Sequence, residues 1–131
     1  MSAQSPDQLT PEKCEYLFAR YLNAGDLSSL LNLYEPQASH IAPDGTISQG
    51  SQAIRLVLDQ FITMQPKLDV HLKRVVPAGA NLAILYDDWT LAALGPSSEP
   101  IDMAGKSVHI VRRQPSGEWL FVLTGVTNAA W

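Results

Sequence analysis

The 131-residue chain contains a single cysteine, Cys14. That excludes an internal disulfide and a cysteine-ligated zinc site. Basic residues are also scarce, with nine Lys and Arg against thirteen Asp and Glu and a formal charge of −4. They never cluster beyond Lys73-Arg74 and Arg112-Arg113, which excludes a surface that tracks a nucleic-acid phosphate backbone. No apolar run approaches the ~20 residues of a membrane-spanning helix. The opening Met1-Ser2-Ala3-Gln4-Ser5-Pro6-Asp7 has neither the basic start nor the apolar stretch of a signal peptide, so the expected location is the cytoplasm, away from membranes. What the chain does have, 46% hydrophobic and 17% charged residues, suffices for one core and not for two.

Residues 1–8 are polar and read as a flexible arm, leaving 9–131 as one domain. Thr10-Pro11-Glu12 predicts a helix start, with Thr10 as cap, Pro11 at the first helical position and Glu12 at the positive end of the dipole. The apolar stripe Cys14, Leu17, Phe18, Tyr21 and Leu22 follows and closes at Gly25. Asp26 predicts the cap of a second, short helix carrying Leu27, Leu30, Leu31 and Tyr34. Two short extended pieces flank the Pro43-Asp44-Gly45 turn, and Gly50-Ser51 opens a third helix with its stripe on Ile54, Val57, Leu58, Phe61 and Ile62. Pro66 forbids its continuation. From Leu68 the apolar period becomes two, and further strands fit residues 81–93, 105–114 and 118–127, the last two joined by Gln114-Pro115-Ser116-Gly117. Three helices followed by antiparallel strands indicate an α+β domain with its helices on one sheet face. Both alternating sets of the later strands are apolar, so the second face needs a cover, and a second copy of the chain supplies it. A homodimer through the sheet is expected, with Trp89, Phe121 and Leu123 on its face.

The layout resembles a known superfamily. The features that carry the likeness are the Asn23-Ala24-Gly25-Asp26-Leu27 corner of a helical hairpin, Tyr34, the Pro43-Asp44-Gly45 turn, Gly50 before a helix, and Trp89 in a long strand. The run from Val108 to Trp119 completes the set. Over roughly residues 9 to 128 these resemble the nuclear-transport-factor-2-like superfamily, in its SnoaL-like and ketosteroid-isomerase-like branch. The resemblance implies a conical barrel, in which a strongly bent antiparallel sheet wraps around the three N-terminal helices and leaves a pocket at the open end. It implies no particular activity, because the same cone hosts isomerases, cyclases, dehydratases, epoxide hydrolases and proteins that only bind or assemble.

Carried over residue by residue, the isomerase's base position falls on Ala42, its tyrosine on Phe18 and its protonated acid on His109. An alkyl side chain accepts no proton, so that machinery is incomplete. The epoxide hydrolases' carboxylates fall on Asp88 and Thr124, and no arginine lies two residues from Asp88. The resemblance turns Ser107, His109 and Val111 inward, and His109 is either a proton carrier or a satisfied core histidine. Asp87 and Asp88 point to opposite faces because adjacent strand residues alternate. With Tyr86 and Thr90 on its side, Asp88 is taken as the pocket carboxylate and partner of His109, the alternative being a bulge or a wet sheet edge. Trp89 then belongs to the outer face.

Phe18, His40, Ala42, Tyr86, Val122 and Thr124 are the expected ligand-binding residues, with His109 and Asp88 catalytic. Asn128 is a further residue at the pocket rim, and Tyr16 and Trp131 carry no assignment. His71 is expected at solvent or the dimer rim, and Cys14 as inert core. The three histidines share no ligand spacing, so neither a metal nor another cofactor is expected. Two functions remain open. One is acid/base chemistry, of isomerase or cyclase type, on a small hydrophobic molecule in the cone. The other is a non-catalytic ligand-binding or dimeric assembly module.

Overall fold

The computed structural model describes residues 10–127; the arm over residues 1–8, Asn128 and Trp131 lie outside them. Helix α1 (Lys13–Ala24) buries Cys14, Leu17 and Leu22 on the expected stripe. Its start differs from expectation. Thr10 makes no side-chain cap; instead the carbonyls of Thr10 and Pro11 accept from the amides of Lys13 and Cys14, at 3.3 and 3.2 Å, in a turn that leads into the helix. Gly25 closes α1 at φ 69°, a left-handed conformation that glycine enters without a Cβ clash. Asp26 then caps α2 (Leu27–Leu31), accepting from the Ser29 amide at 3.1 Å.

Tyr34, expected on that helix, instead begins β1 (Tyr34–Ile41). Strand pairing overrides the helical spacing there, because the amide of Phe121 donates to the carbonyl of Leu33 at 2.7 Å. The Pro43-Asp44-Gly45 turn leads to β2 (Ile47–Gln49), after which α3 (Ser51–Thr63) ends before Pro66. Four long strands follow: β3 (Lys67–Pro77), β4 (Leu82–Leu94), β5 (Pro100–Arg113) and β6 (Trp119–Thr127).

The strands form one sheet in the order β2-β1-β6-β5-β4-β3. All neighbours run antiparallel except β1 and β6, which are parallel, so the sheet is mixed. A parallel neighbour needs a long crossover, and everything from β2 to β5 provides it. The sheet curls round the helices as an open cone. Strands of 13 and 14 residues coil with their own twist, and register irregularities in β3, β1 and between β5 and β6 bend them further.

The core lies between the helices and the inner sheet face. On β4 the buried set is Ala83, Leu85, Asp87, Leu91 and Ala93, and this parity corrects two expectations. Trp89 shares the inner face with Asp87, and Asp88 points outward. Phe121 is also inward and 1% exposed, because Val122 is the extra residue of a bulge opposite Ile110 and Val111 and resets the alternation. The outer face therefore presents Ile84, Tyr86, Val108, Ile110 and Leu123, none fully buried.

Candidate active site

Between α1, α3 and the inner sheet face lies a cavity of about 370 Å³, within the usual range for small-molecule sites. Its walls are mostly apolar, built by Phe18, Val57, Leu58, Phe61, Met64, Leu68, Val70, Trp89, Leu91 and Phe121. Phe121 anchors one side, 6.1 Å from the ring of Phe18 and 5.3 Å from that of Tyr34.

Three titratable side chains from three elements meet in this wall. Glu15 comes from α1, Asp87 from β4 and His109 from β5. Nε2 of His109 lies 3.2 Å from Oε1 of Glu15 and 3.1 Å from Oδ2 of Asp87. Its Nδ1 is 3.4 Å from the amide nitrogen of Gly125, which donates to it. Nδ1 is thus the acceptor, and Nε2 carries the ring hydrogen towards the carboxyl groups.

Glu15 and Asp87 are only 2% and 3% exposed, yet they behave oppositely. Burial, with the hydrogen bond and negative charge of Asp87, pushes the Glu15 carboxyl up to about 10. Burial would raise Asp87 as well, but hydrogen bonding towards His109 and Glu15, the positive charge His109 carries when protonated, and hydrogen bonding towards Ser107 outweigh it and hold that carboxyl below its ordinary value. One proton shared by two adjacent carboxyl groups is the physical content of this split.

A second polar group sits nearby on β1 and β6. Oγ1 of Thr124 lies 2.9 Å from Nδ1 of His40 and 3.4 Å from Oη of Tyr34. Burial pushes the His40 imidazole below its ordinary value, and the neighbouring His109 adds to the effect. Burial pushes the Tyr34 hydroxyl up; the Thr124 hydrogen bond opposes this and the charge of Glu15 reinforces it.

Of the residues expected from sequence, Phe18, His40, Ala42, Thr124 and His109 line the cavity. Asp88, Tyr86 and Val122 do not. Asp88 lies on the opposite face with its carboxylate 3.7 Å from Lys73 and 3.6 Å from Lys106, so Asp87 takes the place next to His109. Tyr86 shares the outer parity of Asp88, and Val122 is displaced by the bulge. Glu15 was missed altogether. Its signal was present, since Glu15, Phe18 and Leu22 fall on one helical face, and a carboxylate on an apolar stripe is unusual. His71 is exposed and pairs with Asp69 at 3.2 Å. Cys14 is buried and donates to the Trp119 carbonyl at 3.2 Å, and burial pushes its thiol up to about 12.

Donor atoms of Glu15, Asp87 and His109 all fall within 4.8 Å of one another, close enough to surround a divalent cation. A cation there competes with the proton that burial keeps on Glu15. No helix among the described residues is long and apolar enough to cross a membrane.

Among solved structures, the fold matches a ketosteroid isomerase-like protein from Erwinia carotovora atroseptica with a TM-score of 0.82 and 12% identity, over 98% of this chain and all of that one. A candidate calcium/calmodulin-dependent protein kinase II association domain from Xanthomonas campestris matches with a TM-score of 0.78 and 16% identity, over 98% and 94% of the two chains. A candidate dehydratase of the NTF2-like family from Streptomyces avermitilis matches with a TM-score of 0.73 and 15% identity, over 93% and 100%. At these identities the likeness shows the fold alone. No curated protein matches the chain in sequence. The model of the SnoaL-like domain, however, matches residues 15–120, most of the chain and every element from α1 to the start of β6, so the protein belongs to the SnoaL-like domain family.

Proposed function

We propose that the cavity binds a small, largely apolar molecule and that Glu15, Asp87 and His109 perform acid/base chemistry on it. The observation that carries this reading is the meeting of two buried carboxyl groups with an imidazole, at 3.2 and 3.1 Å, in the wall of one apolar cavity, where their surroundings displace the two carboxyl groups in opposite directions. Such a split supplies an acid and a base at the same pH. Asp87, ionised, takes a hydrogen from a carbon beside a carbonyl. In an isomerisation Glu15, protonated, gives its proton to that carbonyl and takes it back as Asp87 places its own proton on another carbon of the enol. In a cyclisation or a dehydration Glu15 gives its proton to the second carbonyl that the deprotonated carbon attacks, or to a hydroxyl on the next carbon that leaves as water. In these last two cases direct contact between the two carboxyl groups then returns the proton to Glu15, while His109 holds Asp87 in place through its Nε2 hydrogen. Ala42 and Phe18 line the same cavity but exchange no protons, so the work falls to this cluster. The Streptomyces avermitilis neighbour, a candidate dehydratase on the same fold, is in keeping with water loss.

The test is a panel of β-hydroxyketones on two-ring carbon frames, followed in D2O by NMR and by the absorbance of the conjugated enone. Deuterium incorporation or enone formation faster than in buffer, and lost in Asp87→Asn, is expected. Rates equal to buffer for every compound overturn the catalytic part. If those compounds still shift resonances of cavity residues, the non-catalytic binding module replaces it.

The same proposal takes the protein as a cytoplasmic homodimer. The outer sheet face places Ile84, Tyr86, Val108, Ile110 and Leu123 side by side, and the fold neighbours include candidate association domains. A second copy would cover this face. A reducing compartment suits Cys14, which is buried as a free thiol.

A further inference from the structure

Among the described residues, those that line the cavity include two carboxyl groups and neither lysine nor arginine. Counting protons shows what that means for a ligand. Between them Glu15, Asp87 and His109 hold two polar hydrogens: the carboxyl proton of Glu15 and the Nε2 hydrogen of His109. Both are directed within the cluster. The Glu15 proton serves Asp87, and the ring hydrogen sits between Oδ2 of Asp87 and Oε1 of Glu15, at 3.1 and 3.2 Å. Oε1 of Glu15 and both oxygens of Asp87 nevertheless accept no well-aligned hydrogen bond among the described residues, and Nε1 of Trp89 in the same wall donates none, although all four atoms are fully buried. Three unpartnered acceptors against one unpartnered donor leave the wall with acceptors in excess.

We infer that the site selects a molecule whose polar end donates a hydrogen bond and carries no negative charge, an alcohol, phenol or amine head on an apolar frame. This rests on the reading of the cavity as a small-molecule site and adds its head-group chemistry. A hydroxyl or ammonium hydrogen gives one of these buried oxygens the well-aligned donor that the cluster itself does not supply, and an ammonium also neutralises the charge of Asp87. A carboxylate or phosphate finds no cation in the wall and meets an ionised carboxyl group. An ether or plain hydrocarbon fills the same space and leaves the oxygens unsatisfied. A hydroxyl suits the proposed chemistry in addition, because it both donates to Asp87 and accepts from Glu15.

Four probes on one naphthalene frame separate these cases: 2-naphthol, 2-(aminomethyl)naphthalene, 2-methoxynaphthalene and 2-naphthoate. Affinities are measured by calorimetry on the full chain near neutral pH. The alcohol, the amine or both should bind roughly ten- to a hundredfold tighter than the methoxy compound, with naphthoate the weakest. Whichever of the first two binds tighter identifies the neutral or the cationic head. In Asp87→Asn the advantage over the methoxy compound should shrink, and that of the amine most. Equal binding of all four, or tightest binding by naphthoate, overturns this inference and leaves the small-molecule cavity standing. No binding by any of the four overturns both.

Discussion

Asp87 and His109 approach to 3.1 Å without being register partners, since Asp87 lies opposite Ser107 and His109 opposite Leu85. They are diagonal neighbours on one sheet face, a separation that long side chains bridge. Glu15 closes the triangle from the helix packed above. The cluster therefore depends on both the β4–β5 register and the seating of α1, and a slip of one residue in either strand would turn its carboxylate or imidazole away.

Glu15 makes stability depend on pH in a direction that can be measured. In the folded chain its carboxyl keeps a proton up to about 10, against 4.5 for the ordinary group. In that interval the native state binds one proton more than the unfolded state, so stability falls as pH rises, by at most about 1.4 kcal/mol per unit. His40 acts oppositely below neutrality. Its folded value is lowered, so stability grows as pH rises through the range where the unfolded imidazole loses its proton. In thermal melts between about pH 7 and about pH 9 Cys14 adds a decline of the same sign as its unfolded thiol begins to ionise, so the comparison of wild type with Glu15→Gln is what isolates Glu15. Tm should decline across that range in wild type and less so in Glu15→Gln; a level or rising wild-type curve would mean that Glu15 is ionised in the native state.

The two adjacent aspartates should separate cleanly. Asp88 is a partly exposed partner of two lysines, so Asp88→Asn should change stability by less than about 1 kcal/mol and leave the His109 ring resonances in place. Asp87→Asn should displace those resonances and lower any proton-transfer rate by about a hundredfold or more. Equal NMR perturbation by the two substitutions would contradict the assignment of Asp87 to the inner face.

Gly105 makes room for Trp89. A Cβ at position 105 would stand 2.6 Å from Cζ2 of the Trp89 ring, which lines the cavity. Gly105→Ala must therefore move the indole, at a cost of about 1–3 kcal/mol. A lower Tm and altered tryptophan emission are expected, and wild-type values for both would refute the close contact.

A sedimentation measurement addresses the outer face. The native particle should have twice the 14.3 kDa of one chain. Ile110→Lys, which puts a charge among Val108, Leu123 and Ile84, should convert it to monomer while circular dichroism stays native. A wild-type monomer at micromolar concentration would remove the dimer.

Local punctuation of the fold is legible without any tertiary information. Gly25 in a left-handed cap, Asp26 bonded to Ser29, α3 stopping before Pro66, and the Gln114–Gly117 connection depend on residues a few positions apart. So does the change of apolar period from helical to alternating near Leu68. Longer-range pairing decided where Tyr34 belongs and made β1 parallel to β6; neither leaves a local trace.

The site divides in the same way. His109, His40 and Thr124 line the cavity as expected, together with Phe18 and Ala42. The sequence by itself determined that Asp87 and Asp88 point to opposite faces, because a strand alternates. It left open which one turns inward, because both faces of β4 carry apolar residues and either parity makes a plausible core. Only the packing of α1 and α3 against one face settled that, burying Asp87 beside Glu15 and leaving Asp88 to the lysines. Val122 escaped for a related reason, since a bulge shifts parity within a single strand. The proton shared by Glu15 and Asp87 belongs wholly to the tertiary structure, because it arises from the removal of water around two carboxyl groups brought together from distant parts of the chain.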